Sequence, residues 1–281
     1  METILVTGGA GFIGSTFSRI AMEKGHSIRI VDNLSSGSQE VADELQKLGA
    51  EIMIGDIRDS DVMDTALQGV DFVVHLAAQI SVPLSMEYPE KTADINIHGT
   101  QVVIDHAIRH GAKRLVMASS AAVYGENTNL PLDEADGGML LSPYAESKWE
   151  NEKQILESRQ NGLESVALRF FNVYGVGQRP DSAYAAVIPK FVDFIVNQQP
   201  PTINGDGLQT RDFVHVHDVV QAIFKFLEPN WVGEKFHVYN VATQTQLSLL
   251  DLIENINASL VQVNPHHTPI SPIFGSERPG D

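Results

Sequence analysis

The chain opens on Thr3-Ile4-Leu5-Val6-Thr7, a β-rich apolar run, and passes at once into Gly8-Gly9-Ala10-Gly11-Phe12-Ile13-Gly14. No other stretch restricts the fold as much. A strand that feeds a helix through a turn with glycines at 8, 11 and 14 has three steric demands to meet. Gly8 permits the tight turn, Gly11 lets the backbone approach a pyrophosphate at the helix N-terminus, and Gly14 lets the helix pack closely on the strand. The spacing is G-x-x-G-x-x-G rather than G-x-G-x-x-G, and a glycine triplet alone also fits a plain turn, so the rest of the chain has to decide.

Up to about residue 170, short β-rich runs alternate with helical stretches. Strands are predicted over Thr3–Thr7, Ser27–Val31, Glu51–Ile54, Phe72–Leu76, Arg114–Ala118 and Ser165–Phe170. A helix is predicted over Ile95–His110, where Ile97, Val102, Val103, Ile104 and Ile108 recur at roughly helical spacing. Strict β-α-β order implies an α/β fold, a Rossmann-type doubly wound parallel sheet covered on both faces. After Asn172 the pattern becomes irregular: a Gly- and Pro-rich loop, a helix over Ala183–Val196, short segments, and a turn at Gly205-Asp206-Gly207. That part reads as a smaller C-terminal α/β lobe. The expected division is residues 1–172 and 173–281, the second interleaved with the first. The sequence stops at Arg278-Pro279-Gly280-Asp281 without a helix cap or polar tail, which leaves truncation after Asp281 open.

Composition narrows the function. A chain of 281 residues buries a sufficient core without covalent staples. A net charge of −17 repels polyanions, so neither nucleic acid nor an acidic membrane surface is an expected partner. Cysteine is absent, which removes thiolate catalysis, Cys-ligated zinc and disulfides. No apolar stretch reaches membrane-spanning length and no basic segment precedes the first strand, so a cytoplasmic protein is expected. Of the ten histidines, His215 and His217 fall in an alternating strand-like stretch, and His266 and His267 lie among prolines; no metal site is expected.

The second strand ends at Asp32, 18 residues beyond Gly14, where a carboxylate can accept hydrogen bonds from both hydroxyls of an adenosine ribose. A 2′-phosphate would meet that carboxylate, and Asn33, Ser35, Ser36 and Gly37 offer no cation to neutralise it, so NAD is expected rather than NADP. The third strand leads into Asp56 and Ile57, suited to the adenine edge, although a turn or helix cap also accounts for Asp56. The fourth leads into Leu76, Ala77, Ala78 and Gln79, whose small residues let backbone and cofactor approach.

Tyr144 and Lys148 stand four residues apart at the start of a helical stretch, so they share a face and the ammonium can stabilise a phenolate. Ser119 and Ser120 end the fifth strand, on the sheet edge that also carries the glycine turn. Together with the glycine turn, Asp32 and Gly55-Asp56, the segments Ser119-Ser120-Ala121-Ala122-Val123-Tyr124-Gly125 and Tyr144-x-x-x-Lys148 resemble the extended short-chain dehydrogenase/reductases. Arg169-Phe170-Phe171-Asn172-Val173-Tyr174-Gly175, Ala186-Val187-Ile188-Pro189-Lys190-Phe191, Thr210-Arg211-Asp212-Phe213-Val214 and Arg278-Pro279-Gly280-Asp281 look like the NAD-dependent epimerase/dehydratases, in particular the UDP-glucose 4-epimerases.

That resemblance implies Tyr144 as acid/base, Lys148 as its electrostatic partner and ribose ligand, and Ser120 as the partner of the sugar hydroxyl. It implies Asn172, Arg211 and Arg278 at the phosphates of a UDP-sugar, Val187 and Phe191 beside the uracil, Thr202 and Asn204 at its polar edge, and Asp281 at the ribose. Phe191 as core and Arg211 paired with Asp212 are the plain structural alternatives. Asn96 would support the site from beneath. The implied reaction is C4 epimerisation of UDP-glucose and UDP-galactose with tightly held NAD. Another nucleotide sugar (a UDP-N-acetylhexosamine or a UDP-uronate) and a silent NAD-binding protein stand as alternatives. Ala121 and Ala122 occupy the places where related dehydratases carry acid/base residues, which disfavours dehydration. A homodimer through the helices around Ile95–His110 and Tyr144–Ser158 is also implied.

Overall fold

The computed structural model of the chain describes residues 1–138, 140–179, 186–228, 231 and 237–276. From its first strand the chain runs β1 (Thr3–Thr7), α1 (Phe12–Glu23), β2 (Ser27–Asp32), α2 (Gln39–Lys47), β3 (Glu51–Ile54), α3 (Ser60–Ala66) and β4 (Phe72–His75). It continues through α4 (Val82–Glu87), α5 (Pro89–Ala93), a π-helical turn at Asp94–His98, α6 (Gly99–Arg109), β5 (Arg114–Ser120), α7 (Pro143–Gln160) and β6 (Glu164–Phe170). All six strands expected from the sequence form, with ends within two residues of those expected. Beyond them lie β7 (Asn172–Tyr174), α8 (Val187–Val196), β8 (Thr202–Asn204), β9 (Thr210–Arg211), β10 (Phe213–His215) and α9 (Val216–Leu227). The last elements are β11 (Val238–Val241), β12 (Leu247–Ser248), α10 (Leu249–Val263) and β13 (Ile273–Gly275).

Seven strands form one sheet in the order β3-β2-β1-β4-β5-β6-β11, and every neighbouring pair is parallel. This is the Rossmann order with one strand added, and its direction of winding reverses between β1 and β4, the place where such sheets open a ligand crevice. Thr7 registers opposite both Val31 and His75, so the C-terminal ends of β1, β2 and β4 share one edge. Strands β1 and β4 are buried over nearly their whole length, as a parallel sheet covered on both faces requires. On one face Leu5, Val73 and Leu115 pack with Val103, Ile104 and Ala107 of α6 and Ile155 of α7. On the other, Phe17 of α1 and Phe224 of α9 stack at 4.9 Å.

The chain divides into two compact units. The first comprises Met1–Phe171 and Val216–Val241, the second Asn172–His215 and Ala242–Asp281. The later segment joins the first unit because a strand parallel to β6 needs a crossover helix, and α9 supplies it before β11. His217 therefore lies in α9, not in the strand-like stretch read from the sequence, which ends at His215. Within the second unit, α8 and α10 close a small core of Phe191, Ile195, Ile203, Leu252, Ile253 and Ile256. Helix α8 begins at Val187 after an extended Ala186; the earlier start expected at Ala183 falls outside the described residues. Helix α10 starts at a capping box in which Ser248 and Asp251 each bond the other's backbone amide. No helix among the described residues is long and apolar enough to cross a membrane.

Candidate active site

The glycine turn takes the form its residues demand. Gly8 has φ +70°, and a Cβ there would stand 2.8 Å from Ala77 N; a Cβ on Gly14 would stand 2.3 Å from Gly8 O. Neither position can carry a side chain. At Gly11 a Cβ would meet only Gly8 O, at 3.2 Å, so the missing side chain leaves the N-terminus of α1 approachable. No side chain caps that terminus and its first turn has no acidic residue, so its amides, including those of Phe12 and Ile13, present a ready anion site.

Asp32 is buried, and one carboxylate oxygen accepts from Ala10 N at 2.9 Å while the other accepts from Leu34 N at 2.8 Å. A carboxylate has about four acceptor positions, so two remain for ribose hydroxyls. Gly37 lies against this carboxylate, where a Cβ would come within 3.0 Å of Oδ1. Asn33 turns its amide to Asp56 instead, and its own oxygen accepts from Ser35 N. The Asp56 carboxylate is fully engaged, by the Arg58 side chain, the Arg58 backbone amide and Asn33, and the Arg58 guanidinium holds its pKa well below the usual range. The turn role weighed for Asp56 is thus realised, while Ile57 is buried in the core beneath. Arg58, the cation in this neighbourhood, is neutralised by Asp56 and Asp94.

After β4, the backbone of Leu76 and Ala77 is tied back to β1 because both amides donate to Thr7 Oγ1. With both acceptor positions of that hydroxyl used, its proton goes to His75 Nδ1 at 2.7 Å, and Nε2–H donates to Thr100 Oγ1 at 2.9 Å. Burial holds His75 neutral, with its pKa lowered to about 3. Gln79, just past Ala78, is clamped by Asn96, which accepts from Gln79 N at 2.8 Å and donates to Gln79 O at 2.9 Å. Asn96 sits in the π turn, where the widened backbone frees its carbonyl for Asn151 Nδ2 of α7.

Helix α7 begins with Ser142 as cap and Pro143 in its first turn. Tyr144 and Lys148 follow on one face. Ser120, at the end of β5, lies beside Tyr144 and accepts from Ala122 N at 3.1 Å. Lys148, one turn on from Tyr144, reaches the β5 backbone two residues before Ser120. Burial raises the Tyr144 phenol, and the neighbouring Ser120 hydroxyl opposes that rise. Lys148 donates to Ala118 O at 2.8 Å; burial lowers its pKa to about 8, and Glu152 opposes that fall. At pH 7 the ammonium thus remains mostly charged.

Glu152 was not picked out by the sequence. It is buried one turn beyond Lys148, accepts from Ser119 Oγ at 2.5 Å and forms a two-point ion pair with buried Arg169 of β6 at 2.8 and 2.9 Å. The Arg169 guanidinium lies 4.7 Å from the Tyr124 ring centre, and Tyr124 in turn donates to Asn240. Ser119 is thereby spent on the scaffold beneath Ser120. The signal available was spacing: 144, 148 and 152 form one helical stripe.

In the second unit, Asn172 is exposed and its amide donates to Asp212 O. Arg211 donates to Thr210 O and pairs with no carboxylate among the described residues; Asp212, its alternative partner, accepts from Thr243 instead. Thr202 is exposed, Asn204 and Val187 are half-buried, and Phe191 is buried in the core of α8 and α10. Arg278 and Asp281 lie outside the described residues.

The sequence model of the NAD dependent epimerase/dehydratase family matches residues 4–242. The chain belongs to that family. NAD is its cofactor, and the uncapped α1 terminus with the half-engaged Asp32 carboxylate fits it. A Methanocaldococcus jannaschii protein, provisionally named UDP-glucose 4-epimerase, is 41% identical over 90% of this chain and 81% of its own length. A UDP-N-acetyl-alpha-D-glucosaminuronate decarboxylase of Bacillus cytotoxicus is 32% identical over 90% of this chain and 78% of its own. Among solved structures, the UDP-N-acetylglucosamine 4-epimerase of Methanobrevibacter ruminantium M1, in complex with UDP-N-acetylmuramic acid, is 37% identical with a TM-score of 0.91, covering 100% of this chain and 87% of that one. The chain is thus an NAD-dependent enzyme of the nucleotide-sugar epimerase/dehydratase class.

Proposed function

We propose that this enzyme interconverts the C4 epimers of a UDP-hexose, UDP-glucose and UDP-galactose first, through a 4-keto sugar. One observation carries the reading: Ser120, Tyr144 and Lys148 meet at the C-terminal edge of the sheet, followed by Ala121 and Ala122, which cannot move the protons a dehydration needs. Tyr144 takes the proton of the 4-hydroxyl while Ser120 holds that oxygen. The charged Lys148 stabilises the phenolate, offsetting the burial that otherwise keeps Tyr144 protonated. NAD, when bound, supplies the hydride acceptor and donor at C4, so no reductant is consumed. The keto sugar turns about its link to the diphosphate, and Tyr144 returns the proton with its other face presented.

In the same reading Asn172, Arg211 and Arg278 take the diphosphate, Val187, Phe191, Thr202 and Asn204 the uracil, and Asp281 the ribose. Guanidinium groups suit paired phosphate oxygens, and Arg211 has no competing carboxylate among the described residues. Phe191 would act from within the core, by fixing the wall that Val187 borders. N-acetylated hexoses are a second reading, favoured by the 37% identity to the Methanobrevibacter enzyme. The reading includes a homodimer built on α6 and α7; a monomer at micromolar concentration in sedimentation would remove that part.

The test is incubation with UDP-galactose and, separately, with UDP-N-acetylgalactosamine, without added reductant, following the epimer by anion-exchange chromatography. Conversion that is lost in Tyr144→Phe supports the reading, and the larger kcat/KM fixes the substrate. Failure of both substrates with NAD still bound overturns it.

A further inference from the structure

We infer that Asp64, His106 and His110 form a binding site for a divalent transition metal of the zinc class. His106, in the last turn of α6, and His110, one turn on, share a helix face, and Asp64 of α3 lies opposite them. Asp64 Oδ1 is 3.0 Å from His110 Nε2 and 3.5 Å from His106 Nδ1, and the three ligand atoms all lie within 4.8 Å of one another. A tetrahedral ion about 2.0–2.1 Å from each of three N or O ligands holds them about 3.3 Å apart, so the group closes on an ion with small side-chain shifts.

A second observation points to a ligand. His106 is only 7% exposed, and its Nδ1 is buried without a hydrogen-bond partner. The other ring nitrogen, Nε2, lies 2.9 Å from Ser60 Oγ, the kind of outer contact that orients a metal-binding imidazole and leaves the inner nitrogen its lone pair. In the tautomer whose Nε2–H donates to Ser60 Oγ, Nδ1 turns its lone pair toward Asp64 Oδ1, 3.5 Å away, and a cation would sit between the two. The remaining charge facing the group is Arg109, whose Nη1 is 3.1 Å from Asp64 Oδ1. Its side chain is 68% exposed, so it can swing into solvent at little cost when an ion binds.

The site stands apart from the catalytic edge. His110 leads through Gly111–Lys113 into the start of β5, whereas Ser120 ends it, and seven residues of strand span about 20 Å. Its consequence is a clamp between α3 and α6 rather than a part in the chemistry.

The experiment uses untagged full-length protein, stripped with a chelator and titrated at pH 7.5 with Zn(II) by calorimetry and with Co(II) by visible absorption. One equivalent is expected to bind, with visible Co(II) bands and a rise in Tm of roughly 5 °C at a hundredfold excess over Kd. Asp64→Asn and His110→Ala, both at partly exposed positions, should each weaken binding at least tenfold, while a His266→Gln/His267→Gln double variant should leave it unchanged. No bound equivalent overturns the inference and leaves Asp64 as an ordinary partner of Arg109. So does binding that survives Asp64→Asn and His110→Ala, or that disappears with His266 and His267.

Discussion

The two units hold their candidate residues in opposite ways. In the first, Asp32, Ser120 and Lys148 are fixed by hydrogen bonds to backbone or neighbouring side chains, over a buried layer of Asn96, Glu152 and Arg169. In the second, Asn172 and Thr202 are exposed, and the described contact of Arg211 is with a neighbouring carbonyl. Groups that must act on developing charge are preorganised before a ligand arrives, whereas groups that would recognise a nucleotide are left with free valences for it. On this contrast, changes in the first unit should strike kcat or the fold, and changes in the second should strike KM.

The largest effect is expected at Tyr144. Tyr144→Phe should lower kcat about 1,000-fold or more with NAD still bound, measured in the epimerisation assay. Glu152→Ala comes next, because it strands the Arg169 guanidinium in the interior. A loss of about 3–5 kcal/mol in urea unfolding is expected, whereas Glu44→Ala, which breaks the exposed pair with Arg19, should cost less than about 1 kcal/mol. If the two cost alike, the preorganised layer contributes nothing special to the first unit.

Arg211→Ala should raise KM for the UDP-sugar about 10- to 100-fold and leave kcat within about threefold, the signature of lost ground-state binding. A fall in kcat instead would break the contrast between the units. The smallest effect concerns His75. Its folded pKa of about 3 lies below the unfolded value near 6.5, so between those limits the unfolded chain binds a proton that the folded chain refuses. Stability therefore falls as pH falls through that window, by up to about 1.4 kcal/mol per pH unit from this group. His75→Asn should make the decline in urea midpoint between pH 6 and 4 shallower than in the parent protein.

Much of the first unit was legible because its signals are local. The β-α-β order, the glycine turn, Asp32 at the end of β2 and the spacing of Tyr144 and Lys148 are each set by a few neighbouring residues. Helix α6 shows apolar residues at helical spacing, buries Val103 and Ile104 and packs the half-buried Val102 and Ile108 against the same core, while Ile97 falls in the π turn before it. Helix α7 conceals its surroundings. Its buried side includes Ser147, Lys148, Asn151, Glu152 and Gln154, residues that by type belong at a surface, and each makes at least one hydrogen bond to a partner far away in sequence. The second unit was least legible, since its strands are two or three residues long and too short to show a period.

The sequence by itself determined the class of fold and the NAD cofactor, and marked Ser120, Tyr144 and Lys148 as candidates, because period, turn chemistry and spacing act over a few residues. Only the tertiary structure decided which polar groups would be buried together: Thr7 with His75 and Thr100, Glu152 with Arg169, and Asp64 with His110 from 46 positions away. Those pairings follow from the register of the sheet and the packing of helices across it, and burying a polar group costs least where that packing brings it a partner.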